Sequence, residues 1–342
     1  MNLPKQLFFG AVSRLNPDWL QKKSPIPYII PYQHLVSDEP VPYVKSLYSF
    51  KNTRQFEEDL DFLLKYFSPL SLTDLISHDQ KKKDPKKKGF LITFDDGLRQ
   101  VYEVAAPILL RKGVPAAIFI NPAFVDNREI FYDLKKGLIL DKISQSATRL
   151  PNLTQFEEIF GVKINSLPHL EKKIRSINYL NREFTDSIGE LIGIDFDEFA
   201  VQVKPFVTSD GVRDLITKGF QIGSHSIDHP LYALIPEEEQ IRQTVESADW
   251  VAEKFNLSYK AFAFPHSDKG VKTSFFEKLL ENDQPKLDLI LGNSRGMLEN
   301  HRAVYHRFIG ENPLIPAEKM TKAILAYGAI RNINRSLLVR RG

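Results

Sequence analysis

Cysteine is absent from the 342-residue chain. That excludes disulfides, thiolate metal sites and a cysteine nucleophile, so any bound metal must be held by histidine or carboxylate. Net charge is nearly absent too. There are 46 Lys and Arg against 43 Asp and Glu, a balance of +3, without the basic excess of a dedicated nucleic-acid binder. No apolar run approaches the roughly 18 residues that span a bilayer. The run near the N-terminus, at 7–12, is shorter than a signal-peptide core of roughly 7–15 residues. These absences predict a soluble cytoplasmic protein with no nucleic-acid partner and no transmembrane segment. Residues 1–25 read as a peripheral segment, the one place for a contact with a membrane surface.

What is present is an ordinary globular composition, 42% hydrophobic and 26% charged. Ile26 to Tyr32 reads as a buried strand. Phe56, Leu60, Leu63, Leu64 and Phe67 recur at helical spacing, which predicts an amphipathic helix over 53–67 opened by a Thr53 cap. A short helix follows at 72–77. The run KKKDPKKK at 81–88 reads as a solvated loop. Phe90 to Phe94 is a strand that stops at Asp95-Asp96-Gly97. A helix over 99–112 ends at Gly113, and Ala116 to Ile120 is the next strand.

This strand–helix–strand rhythm is that of a parallel α/β fold. It breaks between about 127 and 206, where the pattern is helical. That predicts a helical insertion in a single domain over 26–342, with Phe131, Tyr132 and Tyr179 in the insertion's own core. The rhythm resumes with a helix from Thr208 or Ser209 to Lys218, closed by Gly219. Strands follow at 220–223, 259–264, 287–291 and 304–308, with helices over 236–256 and 272–282. A closing helix or helices cover 316–339.

Two motifs carry chemistry. Asp95 and Asp96 stand at the end of a buried strand, and in parallel α/β folds ligands bind beyond the carboxyl ends of strands. One carboxylate there can bind a metal while its neighbour acts as a base; a plain Asp-Gly turn is the alternative. Gly223-Ser224-His225-Ser226-Ile227-Asp228-His229-Pro230 follows another strand, with two histidines four apart. Together they offer one carboxylate and two imidazoles, the number of protein ligands found in catalytic zinc sites. The chemistry predicted is hydrolysis of an amide or ester. His78, His169 and His301 read as surface residues, and Trp250 as helix packing.

Thr93-Phe94-Asp95-Asp96-Gly97 and His225-Ser226-Ile227-Asp228-His229 resemble the first two motifs of the polysaccharide deacetylase (NodB-homology) family, the family 4 carbohydrate esterases. Gln33-His34-Leu35 and its following residues are similar to an exopolysaccharide-deacetylase branch of that family. The resemblance covers about 26–125 and 207–310. It implies a distorted, incomplete (β/α) barrel with one divalent metal ion, zinc by preference, at its carboxyl mouth. It implies Asp96, His225 and His229 as ligands, Asp95 as catalytic base, and an acetylated glycan or oligosaccharide as substrate. Ala261-Phe262-Ala263-Phe264-Pro265-His266 falls where the third motif walls the groove, so Pro265 and His266 are groove residues and the His266 N–H matches the oxyanion donor. Many members carry an arginine where this chain has Ala263. Arg307 is the candidate replacement, and His306 the candidate general acid, with His266 and His34 behind it. A hydrolase of another amide or ester, or a glycan-binding protein that keeps the metal site, are the competing readings.

Overall fold

A computed structural model describes residues 3–77, 87–145, 153–281, 284–333 and 336–341. His78 and most of the 81–88 lysine run lie outside the described residues. Of that run, Lys88 is anchored rather than solvated: its Nζ donates to the Ser24 and Ile26 carbonyls.

Among the described residues eleven short strands occur in chain order: β1 Tyr28–Ile29, β2 Pro31–Gln33, β3 Ser68–Pro69, β4 Gly89–Phe90, β5 Ile92–Phe94, β6 Ala116–Ile120, β7 Gln221–Ser224, β8 Ala261–Ala263, β9 Leu289–Gly292, β10 Val304–His306 and β11 Phe308–Ile309. Eight form one all-parallel sheet in the order β10-β9-β8-β7-β6-β5-β2-β11. Its two outermost strands are consecutive in the chain, separated by Arg307, so the sheet curls into a nearly closed barrel with one unsealed seam. At that seam the Arg307 N–H donates to the Gly292 carbonyl, whereas the next N–H, of Phe308, donates to Ile30 on the opposite side. The expected strands at 26–32 and 90–94 are each broken in the middle. Their first halves, β1 and β4, pair with each other in a small second sheet, and β3 pairs with the other edge of β4.

Side chains alternate across a strand, and here the alternation separates two environments. Ala117, Phe119, Ala261, Ala263, Leu289 and Leu291 form an inner cluster with Leu70, Leu72 and Leu75. Ile92, Phe94, Ala116, Ile118, Ile120 and Ile222 instead pack in the large outer core with the flanking helices. Gly223 is small because a Cβ there would meet the Phe119 ring at 2.4 Å.

Helix boundaries follow their caps. The helix Thr53–Tyr66 is capped by Asn52, whose side chain accepts from the Gln55 N–H in a reciprocal box. Thr53, the expected cap, bonds Asp38 instead. Thr208 does cap the helix Ser209–Thr217. Between β6 and β7 the described residues are helical: Tyr132–Gln145, Leu153–Phe160, Leu167–Ser176, Phe184–Ile192 and Phe196–Val203. They bury their own core of Ile139, Phe156, Leu170, Ile174 and Ile188. A second cluster, with Leu35, Tyr43, Phe124, Phe131 and Phe206, joins them to the barrel mouth. The last helix, Ala317–Ile333, stops short of 339, because Leu337 and Val339 exchange backbone hydrogen bonds with Leu298. His301 is not a plain surface residue: it stacks on Phe276 and its Nδ1 lies 2.9 Å from Glu281. Among the described residues no helix is long and apolar enough to cross a membrane.

Candidate metal centre and catalytic groove

The candidate residues stand just beyond the carboxyl ends of barrel strands: His34 after β2, Asp95 and Asp96 after β5, His225 and His229 after β7, His266 after β8, and Arg307 between β10 and β11. Several are held in backbone conformations that non-glycine residues rarely adopt. Asp96, Ser226, His229 and His266 all have φ between 51° and 67°. Such strain gathers where the surrounding structure over-determines a functional geometry. Ser226 and Asn121 hold the histidine loop. The Ser226 hydroxyl accepts from the His229 N–H at 3.0 Å, and the Asn121 amide donates to the His225 and Ser226 carbonyls.

The structure brings Asp96, His225 and His229 together, all buried. Asp96 Oδ1 lies 3.2 Å from His229 Nε2 and 3.5 Å from His225 Nε2. Nδ1 of His225 is 2.8 Å from the Ala263 carbonyl, which fixes that nitrogen as the donor and leaves Nε2 as the lone-pair atom. Burial lowers the His225 pKa to about 4, against the pull of Asp95 and Asp96. Burial also opposes the Asp96 anion, but His229, His34 and His225 hold its carboxyl well below the usual carboxylate range. His229 is pushed down by burial and raised further by Asp96 and Asp133. Asp96 Oδ1 is buried without a hydrogen-bond donor of its own. An orphaned carboxylate oxygen facing two imidazole nitrogens, with all ligand atoms within 4.8 Å of one another, fits a cation.

Asp95 is buried beside this group, with Oδ2 3.9 Å from His225 Nε2. Arg307 donates to both of its oxygens, at 2.6 and 2.9 Å, and is itself fully buried. Arg307 therefore reaches the carboxylate from β10–β11, where Ala263 on β8 cannot. His306, the neighbouring residue, faces the other way. Its Nε2 lies 3.0 Å from Glu299 and its Nδ1 accepts from the Ser294 N–H, and it does not line the groove. The structure does not bring His306 together with Asp95.

The groove is a cavity of ≈ 380 Å³ lined by His34, Asp95, Asp96, His225, His229 and His266, with Tyr48, Phe131 and Asp133. Phe131 is more than insertion core, for its ring lies 4.7 Å from that of His229. Tyr132 OH is 3.0 Å from His266 Nε2, and Tyr179 donates to Asp228 at 2.8 Å. Pro265 is buried directly before His266. Sequence reasoning missed Glu311, whose carboxylate holds His34 Nδ1 at 2.9 and 3.0 Å. It also missed Asn293, whose side-chain oxygen accepts from Arg307 at 3.1 Å. Asn293 stands one residue past the end of β9, and that position was the available signal.

A parallel barrel whose carboxyl mouth is lined by carboxylates and histidines is where barrel enzymes place their chemistry. A profile of the polysaccharide deacetylase family matches residues 82–281, more than half of the chain, and the chain belongs to that family. Solved structures agree in fold. A deacetylase from Streptococcus pyogenes, PplD, solved with acetate, has a TM-score of 0.54 at 14% identity, covering 88% of this chain and 99% of its own. A de-N-acetylase from Aggregatibacter actinomycetemcomitans has a TM-score of 0.50 at 13% identity, covering 82% and 94%. No curated protein matches by sequence.

Proposed function

We propose that this chain is a metal-dependent hydrolase that removes N-acetyl groups from a glycan containing N-acetylhexosamine. The observation that carries the reading is the buried Asp95, held two-handed by Arg307 next to the Asp96–His225–His229 group on the wall of an open groove. A divalent cation held by Asp96, His225 and His229, zinc by the nature of the donors, would polarise the acetamide carbonyl and acidify water. Asp95 accepts a proton at a carboxylate oxygen as water attacks, and Arg307, donating to both oxygens, orients that carboxylate. His34 is the general acid in this reading, in place of His306. Glu311 occupies Nδ1, so Nε2 is the nitrogen left to protonate the departing amine. His266 and Pro265 form the groove wall, and the His266 N–H is the candidate oxyanion donor. The same reading takes residues 26–342 as one barrel domain interrupted at about 127–206, with 1–25 peripheral. With a cytoplasmic location, the substrate is a precursor or lipid-linked saccharide.

The test is acetate release from chitin oligomers, poly-N-acetylglucosamine, peptidoglycan and simple acetyl esters, with metal analysis alongside. Wild type should carry about one divalent ion per chain, His225→Ala should lose it, and Asp95→Asn should keep it while losing acetate release. A metal-free wild type, or an unchanged rate in Asp95→Asn, would refute the assignment.

A further inference from the structure

A second cluster of carboxylates and histidine lies outside the groove: Asp268, Glu299 and His306, whose ligand atoms also fall within metal-binding distance of one another. Its cation is already present. The Arg341 guanidinium donates to Asp268 Oδ2 at 2.7 Å, to the Asp268 carbonyl at 3.1 Å, and through Nε to Glu299 at 2.9 Å. It also lies 4.1 Å over the Phe276 ring, and only 6% of its side chain is exposed. The segment that carries it is pinned by the Leu298–Leu338 bridge.

From this cluster a continuous set of hydrogen bonds runs into the groove. Asp268 Oδ1 accepts from the Asn293 N–H at 2.8 Å. The Asn293 amide donates to the Phe264 and His266 carbonyls at 3.1 and 3.2 Å. Those bonds turn its oxygen to Arg307, which in turn grips Asp95. Gly292, the preceding residue, has no room for a side chain, since a Cβ would come 2.5 Å from the His306 ring. Burial opposes the Asp268 anion, but His306, Arg341 and the Asn293 N–H hold it below the usual carboxylate range.

We infer that the C-terminal segment is a working part of the groove, with Arg341, acting through Asp268 and Asn293, the positioning residue that sets the Arg307 fork on Asp95. Each link is a charged or doubly bonded group with no slack. Loss of Arg341 removes the guanidinium from two buried carboxylates, which keep only the His306 ring beside them, and the loop bearing Asn293 then shifts. Small displacements of such outer partners cost about 10- to 100-fold in activity. The inference rests on the reading of Asp95 as base, and the test separates the two.

Arg341→Ala, Arg341→Lys, Asn293→Ala and the Arg341→Ala/Asn293→Ala double variant are compared with wild type and Asp95→Asn. The readouts are acetate release from chitin oligomers, metal content, unfolding midpoint, and the 15N-detected guanidinium signal of Arg307. Arg341→Ala and Asn293→Ala should each lower kcat about 10-fold or more at unchanged KM and metal content. The double variant should be no worse than the poorer single, and Arg341→Lys should recover part of the loss. The Arg307 signal should shift or broaden in Arg341→Ala whether or not chitin oligomers are the substrate. Additive losses, or an unmoved Arg307 signal in a folded Arg341→Ala protein, overturn the inference. If Arg341→Ala fails to fold, full kcat in Asn293→Ala overturns it instead. Wild type silent on all acetylated substrates fails the deacetylase reading, and the Arg307 signal then decides the inference alone.

Discussion

Replacing Arg307 by methionine keeps the volume of the aliphatic stem and deletes the guanidinium. The pair it breaks is buried on both sides, with side-chain exposures of 0% and 2%. With two N–H···O contacts at 2.6 and 2.9 Å, the charge centres lie roughly 4 Å apart, where opposite unit charges attract by about 4 kcal/mol at an effective dielectric of 20. Removing one partner of a buried pair costs a similar roughly 3–5 kcal/mol, because the other charge stays in the interior. Arg307→Met should therefore lower the unfolding free energy of the metal-free protein by about 4 kcal/mol, read from denaturant titrations. Asp95→Asn/Arg307→Met should recover much of that loss, since neither charge remains, and the two single changes should be strongly non-additive. In the metal-loaded protein, Arg307→Met should lose acetate release while keeping its metal. A stability loss under about 1 kcal/mol, the range of exposed pairs, would mean that water already reaches Asp95 and that the fork does not hold it.

Two further outcomes are expected. Burial would lower the His34 pKa, but Glu311, Asp96 and Asp95 carry it to about 10. The proton held in the folded state adds stability that is complete below about pH 6.5 and fades as pH rises through 10. The stability gap between metal-free wild type and Glu311→Gln should narrow across that window, and a pH-independent gap refutes the pairing. Gly97→Ala puts a Cβ at φ +64° and 2.9 Å from Ile120 Cγ2, a strain and overlap of about 1–3 kcal/mol. Both the unfolding midpoint and metal affinity should fall, since Asp96 is the adjacent residue; unchanged values in both refute it.

The candidate metal group was legible because its members lie in two short motifs, each at a strand end, and a parallel sheet brings strand ends to one face. The barrel strands were legible for a similar reason: β6 is a fully apolar run between a helix and Asn121-Pro122. The choice between His306 and Arg307 shows where local reading stops. Val304 packs outside with the helix residues Phe275 and Phe276 and His306 faces Glu299 and Asp268, whereas Tyr305 packs with the inner cluster and Arg307 enters the barrel. A period of two means that only one of the neighbours can face the groove, and the pleat was readable, but which face was inward was not. Thr53 and Asn52 posed the same problem on a smaller scale: adjacent cap-forming residues, separated only by where the first helical N–H falls.

The amino-acid sequence by itself determined the parallel α/β class, the helical stretch between β6 and β7, and the choice of Asp95, Asp96, His225 and His229 as the candidate group that the fold then brings together, because each rests on residues close together in the chain. Only the tertiary structure decided that Arg307 holds Asp95, that Glu311 holds His34, and that Arg341 reaches the groove through Asp268 and Asn293. Those partners are separated by 212, 277 and 73 residues in the first link of each set. Their meeting depends on sheet register and barrel closure, which no local spacing encodes.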